Sequence, residues 1–342
     1  MKRILVVRTD RVGDVVMITG LLRELRKQFP SSYIGTLTQP NTAQILLHNP
    51  NIDIVLTDDL KKGSFIKIVK EIRKHKFTYG LLIMPTERAS YQMFIAGIKY
   101  RIGVGHKLYE VITFMKSVSR NNYKPLRHEA DYDMDLARKI GVVTNNIQPE
   151  IFVTKEERTE SIQFLGNYGI TENDFKIIVH TGSGGSAPNW SENKYFLLIK
   201  AILENFDKYN IKIILTAIET SHDFLKKIHA LEPKKVINLS DQLGNLRELI
   251  KVISWSDIFI CSSTGPAHIA DALNIKAITL HCNRAMNCAT HWGVLNKRSV
   301  NLQITDEYCR NHCSADQNEC AFENGISVDQ VIKNVKYLIK MK

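Results

Sequence analysis

Proline and glycine are scarce in this chain, which has 9 Pro and 18 Gly in 342 residues, and no stretch is of low complexity. Collagen-like and linker-like proteins are therefore excluded. The longest apolar runs, such as Ile211–Leu215, fall far short of the ~20 residues that a membrane-spanning helix needs. No small-residue cleavage site separates Met1–Arg3 from the apolar run Ile4–Val7. We therefore identify no secretory signal and expect a cytoplasmic protein.

Cysteine is absent from the first 260 residues. Without an export signal, the cysteines beyond them should be reduced thiols. The spacing Cys309-x3-Cys313-x6-Cys320, with His312 inside it, suits a structural metal but differs from the paired C-x2-C of a zinc ribbon. The cysteines can therefore be interpreted either as metal ligands or as ordinary loop thiols. Residues 282–326, which contain most of them, are predicted to be mostly irregular. The six cysteines are Cys261, Cys282, Cys288, Cys309, Cys313 and Cys320.

Positive charge is concentrated in the first half. Residues 1–150 contain 24 Lys and Arg against 14 Asp and Glu, whereas residues 151–342 contain 22 against 21. This asymmetry indicates an anionic partner: nucleic acid, an acidic membrane surface, or a phosphorylated or carboxylated sugar. The alternative is that the charge serves only solubility. No DNA- or RNA-binding signature accompanies the charge, so no role with nucleic acid is expected.

Short β-branched runs alternate with longer amphipathic stretches, which is typical of βαβ units and a parallel sheet. The pattern begins with a strand at Ile4–Val7 and a helix at Val15–Phe29, and it restarts with a strand at Lys176–His180. The sequence therefore predicts an α/β protein with two Rossmann-like domains, 1–155 and 156–342. Ligands bind such sheets at the carboxyl ends of the strands, so two domains facing each other would form a cleft lined by these loops.

The first motif, Arg8-Thr-Asp-Arg-Val-Gly-Asp14, directly follows the first predicted strand. Gly13 is expected to let the backbone turn tightly. Asp14 then lies near a helix N-terminus, where the helix dipole stabilises an anion. Asp14 is therefore either a helix cap or an ionised general base that faces the ligand. Because the dipole also weakens it as a base, a catalytic Asp14 needs close contact with the reacting hydroxyl.

Two further motifs follow strands of the second half and suit an anionic ligand. His180-Thr-Gly-Ser-Gly-Gly-Ser186 combines three glycines with hydroxyl side chains, and it matches neither the GxGxxG nor the P-loop fingerprint. Cys261-Ser-Ser-Thr-Gly-Pro-Ala-His268 leads into a helix N-terminus. A plain glycine-rich loop and a structural His268 are the alternatives. Together the two loops indicate a diphosphate site better than either does alone.

In order and spacing, these motifs resemble glycosyltransferase family 9, the ADP-heptose:lipopolysaccharide heptosyltransferases. The resemblance covers nearly the whole chain and includes His128-Glu-Ala-Asp131, Leu215-Thr-Ala-Ile-Glu219 and the cysteine-bearing tail. It implies a GT-B architecture, with an acceptor-binding N-terminal domain and a nucleotide-sugar-binding C-terminal domain. The last helix, Val328–Met341, could then pack back on the N-terminal domain. The resemblance also implies an inverting transfer that needs no metal and no cofactor.

The resemblance further implies roles for single residues. Asp14 matches the catalytic base, which removes the proton from the acceptor hydroxyl, and Glu219 matches a position associated with the ribose or adenosine of the donor. The residues expected to bind the donor are Thr181, Ser183, Gly184, Ser186, Glu219, Ser263, Thr264, Gly265 and His268. The basic residues expected to meet phosphates and carboxylates of the acceptor are Arg11, Lys61, Arg88, Arg101, Arg120 and Arg127. The alternative for most of these basic residues is that they are solvated surface side chains without a role in binding.

Two positions depart from the family pattern. Pro188 stands where many relatives have Lys or Arg, so a charge that neutralises the diphosphate would come from elsewhere, for instance Lys194. Ser263 stands where many relatives have Asp. The departures favour, as an alternative, a related transferase with another nucleotide-sugar or a surface-polysaccharide acceptor. A non-catalytic binder of anionic glycolipid is a third hypothesis, since fold does not determine function.

The expected partners are an ADP-sugar donor and an anionic lipopolysaccharide-core or glycolipid acceptor. Because such an acceptor is an amphiphile, we expect peripheral contact with the cytoplasmic face of the inner membrane. The basic first half would be drawn to anionic lipid there.

Overall fold

Two six-stranded parallel sheets form the framework of the protein, one in each of two units, Met1–Phe152 and Val153–Lys342. The description comes from a computed structural model. It covers residues 1–105, 107–218, 220–313 and 320–341.

In the first unit, all strand pairs are parallel and the strand order is β3-β2-β1-β4-β5-β6. The strands are β1 (Arg3–Val7), β2 (Tyr33–Thr38), β3 (Ile54–Thr57), β4 (Tyr79–Leu82), β5 (Tyr100–Val104) and β6 (Lys116–Val118). The helices are α1 (Val12–Gln28), α2 (Phe65–Lys74), α3 (Glu87–Ile95), α4 (Leu108–Ile112) and α5 (Glu129–Arg138), with 3-10 turns at Thr42–Leu46 and Asn121–Tyr123. The strand order reverses between β1 and β4, which makes their carboxyl ends the point where such sheets bind ligands.

The second unit repeats this plan, with the order β12-β11-β10-β7-β8-β9 and parallel pairing throughout. Its strands are β7 (Phe175–His180), β8 (Ile211–Leu215), β9 (Val236–Asn238), β10 (Ile258–Ser262), β11 (Lys276–His281) and β12 (Val300–Gln303). Its helices are α6 (Lys155–Gly166), α7 (Glu192–Asn205), α8 (His222–Leu231), α9 (Leu246–Ser254), α10 (Gly265–Ala272), α11 (Ala289–Trp292), α12 (Asp306–His312), α13 (Phe322–Gly325) and α14 (Val328–Lys340). The corresponding reversal lies between β7 and β10.

Both central strand pairs are apolar runs that are buried on both faces, as parallel sheets require. Residues Ile4–Val7 of β1 and Ile177–Val179 of β7 are 0% exposed. Helix α1 contacts β2 and α5, and Gly20 lets it approach the backbone at Ile147 and Gln148 closely. A Cβ atom at Gly20 would lie 2.7 Å from the carbonyl oxygen of Gln148. The two predicted Rossmann-like sheets are therefore confirmed.

One local prediction was wrong, and one strand was missed. Gly13 makes no tight turn, because α1 already begins at Val12 and Gly13 is buried in its first turn. In the stretch 282–326, about half of the described residues lie outside helices and strands, and the rest include the edge strand β12 and the helix α12. Strand β12 alternates half-buried and exposed residues, so it lacks the continuous apolar run that identified strands such as β1 and β7.

The last helix, α14, packs within its own unit against α7 and β11. Val331, Val335 and Leu338 of this helix are buried in the core of the second unit. No helix in the described parts of the chain combines the length and the apolar character needed to cross a membrane.

Candidate active site

Asp14 lies in the first turn of α1, directly beyond the carboxyl end of β1. Its side chain is 16% exposed and forms an ion pair with Arg8, which follows β1 and is only 3% exposed. The side chain of Arg11, the residue before the helix, makes no cap to the helix end. Asp14 is therefore a partly accessible carboxylate that a buried guanidinium holds at the switch point of the first sheet.

Arg8 is the centre of a buried charge cluster, which we call the Arg8 cluster. Its guanidinium also donates to Asp10 at 2.9 Å and to Asp133 at 2.8 Å, and it lies 3.4 Å from Glu129. A second guanidinium, that of Arg120, pairs with Glu129 at 3.1 Å and with Asp133 at 3.4 Å. The members of the cluster are Arg8, Arg120, Asp10, Asp14, Glu129 and Asp133.

The Arg8 cluster holds four carboxyl groups against two guanidinium groups, so carboxylate charge is in excess. Burial raises the pKa of Asp10 to about 6, although Arg8 opposes the shift. Burial also raises the pKa of Asp133 well above its usual range, again against the attraction of Arg8. Taking a carboxylate out of water disfavours its charged form. The cluster can therefore take up a proton near neutral pH while Arg8 stays charged.

The sequence motifs contained Arg8, Asp10 and Glu129, but no pairing between them was predicted, and Asp133 was missed. Glu129 and Asp133 are four residues apart on α5 and therefore share one face of it. Helix α5 packs on α1, and both carboxylates reach Arg8, which precedes α1. The spacing Glu-x3-Asp on a helix, beside a motif with a buried arginine, is the signal that could have identified the cluster.

The loop after β7 is held by Asn189. Its side-chain amide donates to the carbonyl of Thr181 at 2.6 Å, and its oxygen accepts from Tyr195 at 2.8 Å and Ser262 at 2.6 Å. Gly184 and Gly185 adopt positive φ angles of 56° and 68°, which favours glycine there. This loop is therefore tethered to β10, the strand that pairs with β7 at the switch point.

The predicted donor-binding hydroxyls of this loop differ in their surroundings. Thr181 is buried and lies 3.5 Å from the hydroxyl of Thr220. The Ser186 hydroxyl donates to the carbonyl of Ser183 at 2.6 Å and closes a turn around the two glycines. The preceding His180 contacts Thr216 at 2.9 Å, and burial lowers its pKa to about 4. A neutral imidazole therefore stands at the base of the loop.

The loop after β10 forms the N-terminus of α10, with Thr264 at the cap and Gly265 as the first helical residue. The Thr264 side chain makes no capping hydrogen bond, and the backbone N–H of Ser263 is bonded to the carbonyl of Leu280. His268 is 3% exposed and packs against Trp292, with ring centroids 5.7 Å apart. The helix N-terminus offers backbone N–H groups to an anion.

The two predicted donor loops thus lie side by side at the switch point of the second sheet. Glu219, the residue expected near the ribose or adenosine, lies outside the described residues. Lys194 lies in the first turn of α7, with its ammonium 4.9 Å from the centre of the Trp190 ring, and burial lowers its pKa. Lys194 therefore sits close to the segment that contains Pro188, the position at which the sequence predicts a missing positive charge.

Most of the predicted acceptor-binding arginines are engaged inside the first unit. Arg88 forms a two-pronged pair with the buried Asp58 at 2.8 and 2.9 Å. Arg101 is buried and donates to the carbonyls of Thr113 and Ile98. Arg127 pairs with Asp131 and Asp135 and covers the Tyr132 ring, while Arg120 belongs to the Arg8 cluster. The two basic candidates with exposed side chains are Arg11 and Lys61.

Comparisons with known proteins identify the group to which this architecture belongs. The family profile of "Glycosyltransferase family 9 (heptosyltransferase)" matches residues 65–321. A Haemophilus influenzae protein named only as a glycosyltransferase is 27% identical over 86% of this chain and 87% of its own. The lipopolysaccharide core heptosyltransferase OpsX of the same species is 22% identical, over 82% of this chain and 79% of OpsX. The structure of Escherichia coli ADP-heptose lps heptosyltransferase II superposes with a TM-score of 0.78 at 16% identity, over 100% and 99% of the chains.

Two Rossmann-like units form an α/β architecture that matches the GT-B heptosyltransferase structures, and the predicted fold class is confirmed. The chain belongs to glycosyltransferase family 9, the heptosyltransferase family of lipopolysaccharide core biosynthesis.

Proposed function

We propose that the protein transfers a heptose from ADP-heptose to a lipopolysaccharide core sugar with inversion at the anomeric carbon. The observation that carries this proposal is the ion pair between Arg8 and Asp14 at the carboxyl end of β1. It holds a carboxylate in place without burying it completely, as a general base requires. The relatives named as core heptosyltransferases support the donor and the acceptor class.

In the proposed reaction, Asp14 accepts the proton of the acceptor hydroxyl. The hydroxyl oxygen forms a bond to the anomeric carbon from one face, and the bond from that carbon to the diphosphate oxygen breaks on the other. One displacement therefore inverts the anomeric centre, and ADP leaves with the electron pair. Arg8 orients Asp14, and it is a positioning residue since it contacts the substrate only through Asp14.

The departing diphosphate gains negative charge, and the loops of the second unit are suited to stabilise it. Thr264 and Gly265 would present backbone N–H groups from the N-terminus of α10, together with the Thr264 hydroxyl. Ser183 and Gly184 would border the phosphates from the loop that Asn189 tethers. Donors that are already oriented before the reaction stabilise developing charge without reorganisation. His268 would contribute by packing, because it is buried.

A transferase with another nucleotide-sugar donor is the second candidate. It is favoured by Pro188 and by Ser263, whose hydroxyl replaces a carboxylate of many relatives. Under the first proposal Lys194 supplies the missing positive charge, and its place beside Trp190 supports this.

The test is ADP release from ADP-heptose, measured for the wild type and Asp14→Asn with a panel of truncated core acceptors. We expect release that needs both an acceptor and Asp14. Thermal shifts with ADP, UDP and GDP compare the donors, because a bound ligand stabilises the folded state by mass action. Preference for UDP or GDP, without ADP release on any acceptor, would reject ADP-heptose and favour the second candidate. Wild-type activity no higher than that of Asp14→Asn would favour a non-catalytic glycolipid binder.

We also propose a cytoplasmic location with peripheral membrane contact through helix α4. Leu108 is 75% exposed, Val111 64% and Phe114 75%. Lys107 and Lys116 flank them and are exposed. Apolar side chains that are framed by lysine suit an anionic bilayer surface, where each basic residue contributes about 1 kcal/mol.

Flotation with vesicles of phosphatidylglycerol and phosphatidylethanolamine at physiological salt tests this surface. We expect the wild type to float and the double variant Leu108→Ser/Phe114→Ser to stay in the soluble fraction. Val143→Ser is the matched control, since Val143 is 88% exposed in the same unit. Equal flotation of all three proteins would reject α4 as the contact, and no flotation of the wild type would reject membrane contact altogether.

A further inference from the structure

Four cysteines that are distant in sequence converge at the end of the second sheet. Cys282 directly follows β11, Cys309 lies on α12, Cys313 ends that helix and Cys320 precedes α13. The Sγ atoms of Cys282 and Cys320 are 3.5 Å apart, and those of Cys313 and Cys320 are 4.0 Å apart. The thiol of Cys309 lies near those of Cys313 and Cys282. We call this group the four-cysteine cluster.

The two sulfur distances at Cys320 are close to those between ligands around one metal ion. Four thiolates at about 2.3 Å from a tetrahedral metal are roughly 3.8 Å from one another. The two measured distances lie on either side of this value. A disulfide would bring two sulfur atoms to about 2.05 Å, so the cysteines are separate thiols. Thiols are weak hydrogen-bond donors and acceptors, so hydrogen bonding among themselves is a poor reason for four of them to meet.

The surroundings suit a structural ion rather than a catalytic one. Cys282 is buried, and Cys309 and Cys320 pack against the core of the second unit together with Ile304 and Phe322. Arg284 lies near Cys309 and Cys313 and places a positive charge beside the four-cysteine cluster. An ion here would join β11 to α12 and α13, a part of the unit with short helices. Small helical segments are commonly stabilised in this way.

We propose that Cys282, Cys309, Cys313 and Cys320 bind one divalent transition metal ion, zinc or iron(II), as a structural tetrathiolate site. Soft thiolate ligands select these ions. Binding releases four thiol protons and leaves a centre with net charge −2, which Arg284 partly offsets. As the side chains stand, no group of three His, Cys, Asp or Glu among the described residues is arranged to hold a metal. Binding therefore includes rotation of the thiols towards a common centre, as is usual where metal binding is coupled to local folding.

The first experiment is elemental analysis of the untagged full-length protein, purified with reductant and without chelator. We expect about one equivalent of zinc or iron per chain, and the analysis distinguishes the two. Cys313→Ser and Cys282→Ser should lose most of the metal. Cys288→Ala is the matched control and should retain it, because Cys288 is a buried cysteine outside the cluster whose thiol donates to the carbonyl of Ala285.

A second measurement does not depend on variants that fold. Cobalt(II) added to the metal-depleted wild type should give thiolate-to-cobalt charge-transfer absorption and the intense visible bands of tetrahedral cobalt. It should also protect four thiols from alkylation. Less than a tenth of an equivalent of metal, together with no such absorption, would overturn the proposal. A Cys282–Cys320 disulfide in protein that was kept reduced would overturn it as well.

Discussion

Arg8 and Asp14 are six residues apart, and their side chains meet in an ion pair at the point where β1 passes into α1. The same guanidinium reaches Asp133, 125 residues further along the chain, at 2.8 Å. The orientation of the proposed base therefore depends on the packing of α5 against α1. Four predictions test this arrangement and the donor loop.

Replacing Asp14 by Asn removes the proposed base while keeping its shape. We expect the rate of transfer to fall about 10²–10⁴-fold, the usual contribution of a general base. The affinity for ADP should be unchanged, because Asp14 acts on the acceptor. Turnover and ADP binding are measured on the same preparation. Asp135→Asn on α5, which loses a pair with Arg127, serves as the control and should keep near-normal turnover.

Replacing Arg8 by Met leaves several buried carboxylates without their main counter-charge. We expect the free energy of unfolding of the first unit to fall by about 3–5 kcal/mol, as for other broken buried ion pairs. Adding Asp133→Asn to this variant should recover part of the loss, since it removes one uncompensated charge. Urea unfolding of the two variants measures both effects.

The control for this cycle is Lys251→Met, which breaks the pair with Glu160, a residue that is 60% exposed. Pairs of this kind contribute about 0–1 kcal/mol. If Arg8→Met lowered the free energy of unfolding by no more than Lys251→Met does, the central role of Arg8 in the cluster would be contradicted.

Asp10 makes the stability of the protein depend on pH. Burial disfavours the carboxylate and raises the pKa of Asp10 from its ordinary value of 3.8 to about 6 in the folded protein. The folded state therefore holds the proton more tightly, and Asp10 lowers stability as the pH rises from about 4 to 6. Asp10→Asn should raise the midpoint of thermal unfolding relative to wild type, more at pH 7.5 than at pH 4.5. Asp207→Asn, at an exposed position, is the control and should show no such pH trend. If the gain in unfolding midpoint from Asp10→Asn became smaller as the pH rises, the proposed direction of the pKa shift of Asp10 would be contradicted.

Asn189 tests the donor loop. Replacing it by Ala removes the tethers to Thr181, Tyr195 and Ser262, and we expect affinity for ADP to fall by about tenfold, or ~1.4 kcal/mol. Tyr195→Phe removes only one of these hydrogen bonds and should weaken binding less. Isothermal titration calorimetry of both variants gives the comparison. Equal affinity in Asn189→Ala and wild type would show that the loop does not need this tether.

Several features of this protein were predictable because they depend on neighbours in the chain. Apolar β-branched runs identified the central strands, and helix periodicity identified α1 and α7. The candidate residues were predicted to lie in the segments that follow strands, and Asp14 lies in the first turn of the helix after β1, while Thr264 caps the helix after β10. Strand β12 was missed, because an edge strand with one exposed face has no continuous apolar run.

Other features depend on which strands and helices become neighbours in space. The sequence by itself determined two α/β units, the loops that follow their strands and the carboxylate of Asp14, since these rest on local periodicity and on the order of strands and turns. Only the tertiary structure decided that Arg8 meets Asp133, that Arg101 and Arg88 are engaged inside the first unit, and that Cys282 lies 3.5 Å from Cys320. Sheet order and helix packing bring those residues together. Ion pairs and thiol contacts between residues that are distant in sequence produce no periodic sequence pattern, so the sequence could not predict them.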